Sequence, residues 1–129
     1  MNTGYFRVAA AVPGVNVADV EFNVDSIIEM CKTLDGKGVM LAVFPELSVT
    51  GYTCADLFHQ QQLIDAADAG IARLREFSAT VNLVFIVGSP VRHNGALYNC
   101  AVVIGGGEIL AIVPKTYLPD YNEFYEKRW

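Results

Sequence analysis

Val39-Met40-Leu41-Ala42-Val43-Phe44-Pro45-Glu46 is the stretch on which the fold turns. Its apolar residues run without a break from Val39 to Phe44, after Asp35-Gly36-Lys37-Gly38 and before Pro45. A short apolar run between turn signals predicts a strand covered on both faces. Proline lacks the ladder N–H and fixes its own φ, so Pro45 ends the strand and aims Glu46 off its tip. Ile109-Leu110-Ala111-Ile112-Val113-Pro114-Lys115 repeats the same grammar with a lysine at the end. In α/β sheets, ligand sites favour strand ends. The two tips therefore offer one carboxylate and one ammonium group.

Outward from these strands the pattern alternates. Residues 5–12 (YFRVAAAV) read as a first short strand and 14–19 as a loop. A helix is predicted over 20–34, with Phe22, Ile27, Ile28, Cys31 and Leu34 on one face. Gly36 and Gly38 supply its stop. After the loop at 46–56 (ELSVTGYTCAD), a second helix is predicted over 61–79, weakened by Gly70. Strands follow at 83–89, 98–104 and 109–113. Asn94-Gly95 and Gly105-Gly106-Gly107 are links too short for a parallel crossover, so these three strands are expected to be antiparallel. Strand–helix–strand–helix–strand at the start favours parallel neighbours. The fold class is α/β: a mixed sheet with helices on one face. Residues 115–129 (KTYLPDYNEFYEKRW) carry five aromatic side chains among charges, without a clear period.

Composition narrows the functional classes. The chain has 129 residues, enough for one domain. With 53% hydrophobic and 18% charged residues it is the opposite of a disordered chain. Its net charge is -5 and its nine Lys and Arg residues are scattered, which disfavours nucleic acid as a partner. Three cysteines without a CxxC pair, and two histidines, give no zinc spacing, so no metal site is expected. The cysteine usage suits a reducing compartment. No secretory leader and no membrane-length apolar run is present, so a cytoplasmic location away from membranes is expected.

A carboxylate and an ammonium group suit acyl transfer. The carboxylate takes a proton from a nucleophile and returns it to the leaving amine. The ammonium stabilises the oxyanion of a tetrahedral intermediate. Taken singly, a charged residue past a strand is ordinarily a solvated loop residue; the paired strand–proline contexts are what single out Glu46 and Lys115. Cys31 and Cys100 fall on apolar faces and read as buried hydrophobes. Cys54 is the one loop thiol, with no His or Lys beside it in sequence to activate it. His59 and His93 read as exposed residues. Gly105-Gly106-Gly107-Glu108 precedes a strand and reads as a hairpin turn, not a phosphate loop.

Phe44-Pro45-Glu46-Leu47, then Thr50-Gly51-Tyr52, then Pro114-Lys115, resemble the nitrilase or carbon–nitrogen hydrolase superfamily, whose members use a Glu-Lys-Cys triad. The resemblance covers essentially the whole chain. PELSVTGYTCADLF (45–58) and PKTYLPDYNEFYEKRW (114–129) are similar to the glutaminase domain of glutamine-dependent NAD synthetases. The resemblance implies Glu46 as general base and Lys115 as the family's lysine. It places Tyr52 and Tyr121 in the glutamine pocket and Glu126 as a second glutamate supporting Lys115, with Glu123 a less well-spaced alternative. It implies half of an αββα nitrilase-type sandwich, with glutamine as substrate and ammonia passed to a synthetase domain that uses ATP and magnesium. Residues 1–129 themselves are expected to hold no cofactor.

The family's cysteine follows its lysine, and no cysteine follows Cys100 here. The chain is therefore expected to be the N-terminal portion of the glutaminase domain, truncated before the nucleophilic cysteine and inactive alone. The competing readings are a stand-alone amidase or carbamoylase of the same superfamily, and a non-catalytic α/β assembly module. Half a sandwich also leaves an apolar sheet face uncovered, which favours association. The isolated chain, lacking the C-terminal half and the synthetase domain, is expected to self-associate, two copies covering each other. Light scattering checks this, and a monomer across micromolar concentrations contradicts it.

Overall fold

The computed structural model describes residues 4–129. One sheet of five strands runs in the order β1 (Val8–Ala10), β2 (Leu41–Val43), β3 (Val84–His93), β4 (Ala96–Gly105), β5 (Glu108–Pro114). β1, β2 and β3 are parallel; β3, β4 and β5 are antiparallel. The parallel pairs are bridged by α1 (Val20–Gly36) and α2 (Gln61–Ser78), which pack on one face of the sheet. This is the mixed sheet expected from the pattern.

Hydrophobic spacing explains the helices. Val20, Val24, Ile27, Ile28 and Cys31 form the buried stripe of α1, and Asp19 caps its first turn through the Phe22 N–H at 3.1 Å. Leu63, Ile64, Ala67, Ile71 and Leu74 form that of α2. Gly70 belongs to this stripe for a steric reason. A Cβ there would stand 2.9 Å from Val20 Cγ1 and 3.0 Å from Val24 Cγ2, so the glycine is what lets α2 lie close against α1. Beneath the helices, alternate sheet residues Ala42, Phe44, Phe85, Val87, Cys100, Val102 and Ile104 complete the core.

The other sheet face departs from the expectation of strands covered on both sides. Val8 is 60% exposed and Val43 44%; in β2 Val43 follows the buried Ala42, while the edge strand β5 is exposed along its whole length, Val113 at 55%. The apolar run of β2 therefore marks a strand with one packed and one open apolar face, and that of β5 an exposed edge strand. Both hairpins turn through two residues of positive φ, Asn94 (49°) with Gly95 (78°) and Gly106 (60°) with Gly107 (82°), the backbone that matches the strand twist. β3 runs on through Pro90, past the 89 boundary read from the sequence. Its missing N–H is tolerated because β2 pairs only as far as Ile86.

Beyond Val43 the chain does not leave the sheet. Phe44 N–H donates to Ile86 C=O at 2.9 Å and Val49 N–H to Gly88 C=O at 3.0 Å, while Gly88 N–H donates to the Ser48 hydroxyl at 3.2 Å. The turn 45–50 is thus laid directly on β3. A Cβ at Gly88 would meet Leu47 N at 2.1 Å and Glu46 C at 2.8 Å. Leu47 adopts φ 51°, a left-handed conformation that costs a non-glycine residue about 1–2 kcal/mol. Its buried side chain holds it there. From the helix side, the fully buried Asn23 of α1 donates to Val49 C=O at 3.0 Å and Asn16 C=O at 2.8 Å, and accepts from Asn16 N–H at 2.8 Å.

Two substitutions test this seat for the turn. Gly88→Ala drives a methyl into backbone and is expected to cost at least about 1–3 kcal/mol. Asn23→Ala strands buried carbonyl and amide groups and is expected to cost about 1–3 kcal/mol. Urea denaturation reads both; a midpoint within error of the parent for either contradicts the corresponding contact.

Candidate active site

The two strand–proline tips meet. Pro45 places Glu46 just past β2 and Pro114 places Lys115 just past β5, on either side of the β3–β4 hairpin. Lys115 Nζ donates to Glu46 Oε1 at 2.7 Å and to Glu126 Oε1 at 3.0 Å. Glu126 Oε2 also lies 3.0 Å from Nζ, an electrostatic contact without the direction of a hydrogen bond. That buried oxygen accepts no hydrogen bond among the described residues. One ammonium group therefore sits between two carboxylates.

Glu126 enters from the irregular tail. It opens the 3₁₀ turn Glu126–Arg128, and its side chain is only 8% exposed. The tail is clamped at both ends of that turn. Glu126 N–H donates to Pro119 C=O at 3.2 Å. Arg128 and the Trp129 indole N–H both reach Asp56, at 3.1 and 3.2 Å. Asp56 belongs to the 3₁₀ segment Tyr52–His59, a segment the sequence pattern showed only as loop. Tyr52, at its start, donates its hydroxyl to Glu126 Oε1 at 2.8 Å and meets Phe124 edge-on, with ring centroids 6.3 Å apart. Tyr121 stacks edge-on against the same Phe124 at 5.7 Å. Glu46, Tyr52, Lys115, Tyr121, Phe124 and Glu126 thus line one open pocket of about 470 Å³. Glu123, the alternative to Glu126, makes no hydrogen bond to Lys115 among the described residues.

Electrostatics follow from this arrangement. Burial works to lower the Lys115 pKa, but hydrogen bonds and Coulomb attraction to Glu46 and Glu126 outweigh it and raise the pKa above the ordinary lysine value. Tyr52 is pushed upward by burial, by its hydrogen bond to Glu126 and by the surrounding carboxylates, so it stays a phenol and a donor.

The cysteines offer no activated nucleophile. All three are free and buried. Burial, with Asp35 adding to it, pushes the Cys31 thiol to about 12. Burial also raises Cys54 and Cys100. Cys54, the loop thiol, points into the protein, its Sγ 3.2 Å from Thr50 C=O and 3.4 Å from Gly51 C=O. No group of three or more His, Cys, Asp or Glu among the described residues suits a metal ion. No described helix is long and apolar enough to cross a membrane.

The site also contains a residue that the sequence reading passed over. Asn99, on β4, donates from Nδ2 to Glu46 Oε1 at 2.6 Å. Its backbone C=O accepts the Lys115 N–H at 2.7 Å. An asparagine within an apolar strand, opposite a proline, was the available signal.

Residues 7–128 match the carbon-nitrogen hydrolase family. The chain belongs to that family. It is 42% identical over 125 residues to the glutamine-dependent NAD(+) synthetase of Mycobacterium tuberculosis (strain ATCC 25618 / H37Rv), a match that covers 97% of this chain and 18% of the relative. It is 32% identical over 111 residues to the enzyme of that name from Rattus norvegicus, covering 86% and 15%. The chain thus spans under a fifth of the length of these relatives. Among solved structures, the glutamine-dependent NAD(+) synthetase of Cytophaga hutchinsonii superposes with a TM-score of 0.86 at 29% identity, over 96% of this chain and 21% of that one. An amidase from Nesterenkonia sp. AN1 superposes with a TM-score of 0.82 at 24% identity, over 95% and 46%, a likeness of fold.

The raised Lys115 pKa carries a sign. A lysine whose folded pKa exceeds its unfolded one stabilises the fold fully below the unfolded value, and that contribution is lost as pH rises through the folded value. Replacing Lys115 with Met is expected to lower the denaturation midpoint near neutral pH and to matter progressively less above about pH 10.5. A difference that stays constant through that range contradicts the paired ammonium.

Proposed function

We propose that these residues are the N-terminal portion of the glutaminase part of a glutamine-dependent NAD synthetase, hydrolysing glutamine to glutamate and ammonia. The observation that carries the reading is Lys115 Nζ held at 2.7 Å from Glu46 and 3.0 Å from Glu126 on the wall of a pocket. The similarity to NAD synthetases over nearly the whole chain supports glutamine as the substrate.

In this reading Glu46 is the general base. It takes the proton of a cysteine thiol as the sulfur attacks the side-chain amide carbon of glutamine. The Lys115 ammonium stabilises the oxyanion so formed. The tetrahedral intermediate collapses, the C–N bond breaks, and the proton on Glu46 passes to the leaving nitrogen, releasing ammonia and leaving a thioester. Water then gives a proton to Glu46 and attacks the thioester; glutamate leaves and the proton returns to the sulfur. Tyr52 and Tyr121 wall the pocket, and Glu126 holds Lys115 in place. None of Cys31, Cys54 and Cys100 serves as the nucleophile, since each is buried with a raised pKa. The thiol comes from outside these residues. The ammonia passes to a synthetase domain that binds ATP and magnesium, in the cytoplasm.

Ammonia release from glutamine tests this. The 129 residues alone are expected to release none, and the chain extended along its native reading frame is expected to release it. Glu46→Gln in the extended chain is expected to lower turnover about 10²–10⁴-fold with the fold intact. Turnover by the short chain that disappears with Cys54→Ala contradicts the assignment of the nucleophile. Full activity of Glu46→Gln contradicts the base.

A further inference from the structure

Glu46 Oε1 is crowded. Asn99 Nδ2 reaches it at 2.6 Å and Lys115 Nζ at 2.7 Å, while Glu46 Oε2 accepts no hydrogen bond among the described residues. The carboxylate is thus asymmetric, with one oxygen occupied by two donors and the other without a hydrogen-bond partner among the described residues, on a side chain that lines the pocket. Opposite a carboxylate, only the NH₂ end of the Asn99 amide donates, so its orientation is fixed by chemistry. Asn99 also reaches the second tip, since its carbonyl accepts the Lys115 backbone N–H at 2.7 Å. A single residue of β4 therefore touches both charged residues, and β4 is anchored by its long pairing with β3, from Phe85↔Ile104 to His93↔Ala96.

We infer that Asn99 is a positioning residue for the base: together with Lys115 it fixes Glu46 through Oε1 and leaves Oε2 as the oxygen that takes and returns the proton. Lys115 alone does not supply this. Its ammonium group is shared between two carboxylates, with Glu126 drawing on the same donors. Asn99 is short, uncharged and rooted in a paired strand. It adds a directional donor without adding a second positive charge, so the carboxylate keeps its capacity to accept a proton. The inference rests on Glu46 acting as base in the proposed reaction.

The test uses the extended chain and two variants of nearly the same size. Asn99→Leu removes the donor. Asn99→Asp keeps the shape but sets a carboxylate against a carboxylate. Both keep the backbone carbonyl that holds Lys115. Each is expected to lower kcat on glutamine about 10–100-fold, the cost of a hydrogen bond to a charged group, with KM within about threefold. In a Glu46→Gln background, Asn99→Leu is expected to change kcat by less than about threefold, because a residue acting through Glu46 has nothing left to position. Multiplicative losses in the double variant, or a rise in KM at unchanged kcat, overturn the inference. A crystal structure of Asn99→Leu separates this result from the function itself. If the parent hydrolyses no glutamine, the proposed function fails, and an unmoved Glu46 carboxylate in the variant overturns the positioning role in its own right.

Discussion

A lysine ammonium between two carboxylates is the interaction around which the rest of the chain is arranged. Two glutamates facing one pocket repel each other, and Lys115 offsets that repulsion by contacting both, at 2.7 and 3.0 Å. The three charges come from separate places: the end of β2, the end of β5 and a turn near the C-terminal end of the chain. Holding them together requires that a sheet, a loop and a tail each be fixed. The sheet supplies two tips. Gly88 and Asn23 supply the seat for the turn bearing Glu46. Asp56 and Tyr52 hold the turn bearing Glu126.

This arrangement explains several local choices that look unfavourable in isolation. Leu47 at positive φ, glycine within β3, glycine within α2 and a buried asparagine on α1 each carry a cost in propensity. Leu47 lies within the turn 45–50, Gly88 and Asn23 lie against it, and a Cβ at Gly70 would stand 3.7 Å from its Val49 Cγ1. The local irregularity is the means by which the turn closes against β3 and does not splay from the sheet.

The strand–helix alternation, both hairpins and the order of elements were legible in the sequence because each rests on short-range signals. Apolar runs mark the strands, helical spacing marks α1 and α2, and Asn94-Gly95 and Gly106-Gly107 mark turns that need positive φ. The pairing of Glu46 with Lys115 was legible as well, since both follow a strand and a proline. What escaped the reading was set by tertiary contact. β3 continues through Pro90 because its neighbour has already ended. The 3₁₀ segment Tyr52–His59 is held through Asp56 and Tyr52 by residues more than seventy positions away, and no local pattern announces it. Asn99 looked like one polar residue in an apolar strand until the register placed it beside Glu46. The open sheet face is invisible to composition, because Val43 is as apolar as its buried neighbours Ala42 and Phe44.

In the reaction we propose, Glu46, Lys115 and Glu126 activate a thiol supplied from outside these residues against the amide of glutamine. The most direct measurement is to treat the extended chain with a glutamine-shaped chloroketone and locate the adduct by peptide mass spectrometry. One adduct is expected, on a cysteine other than Cys31, Cys54 and Cys100, that is protected by glutamine and lost with Glu46→Gln. An adduct on Cys54, or labelling indifferent to both glutamine and Glu46, contradicts it.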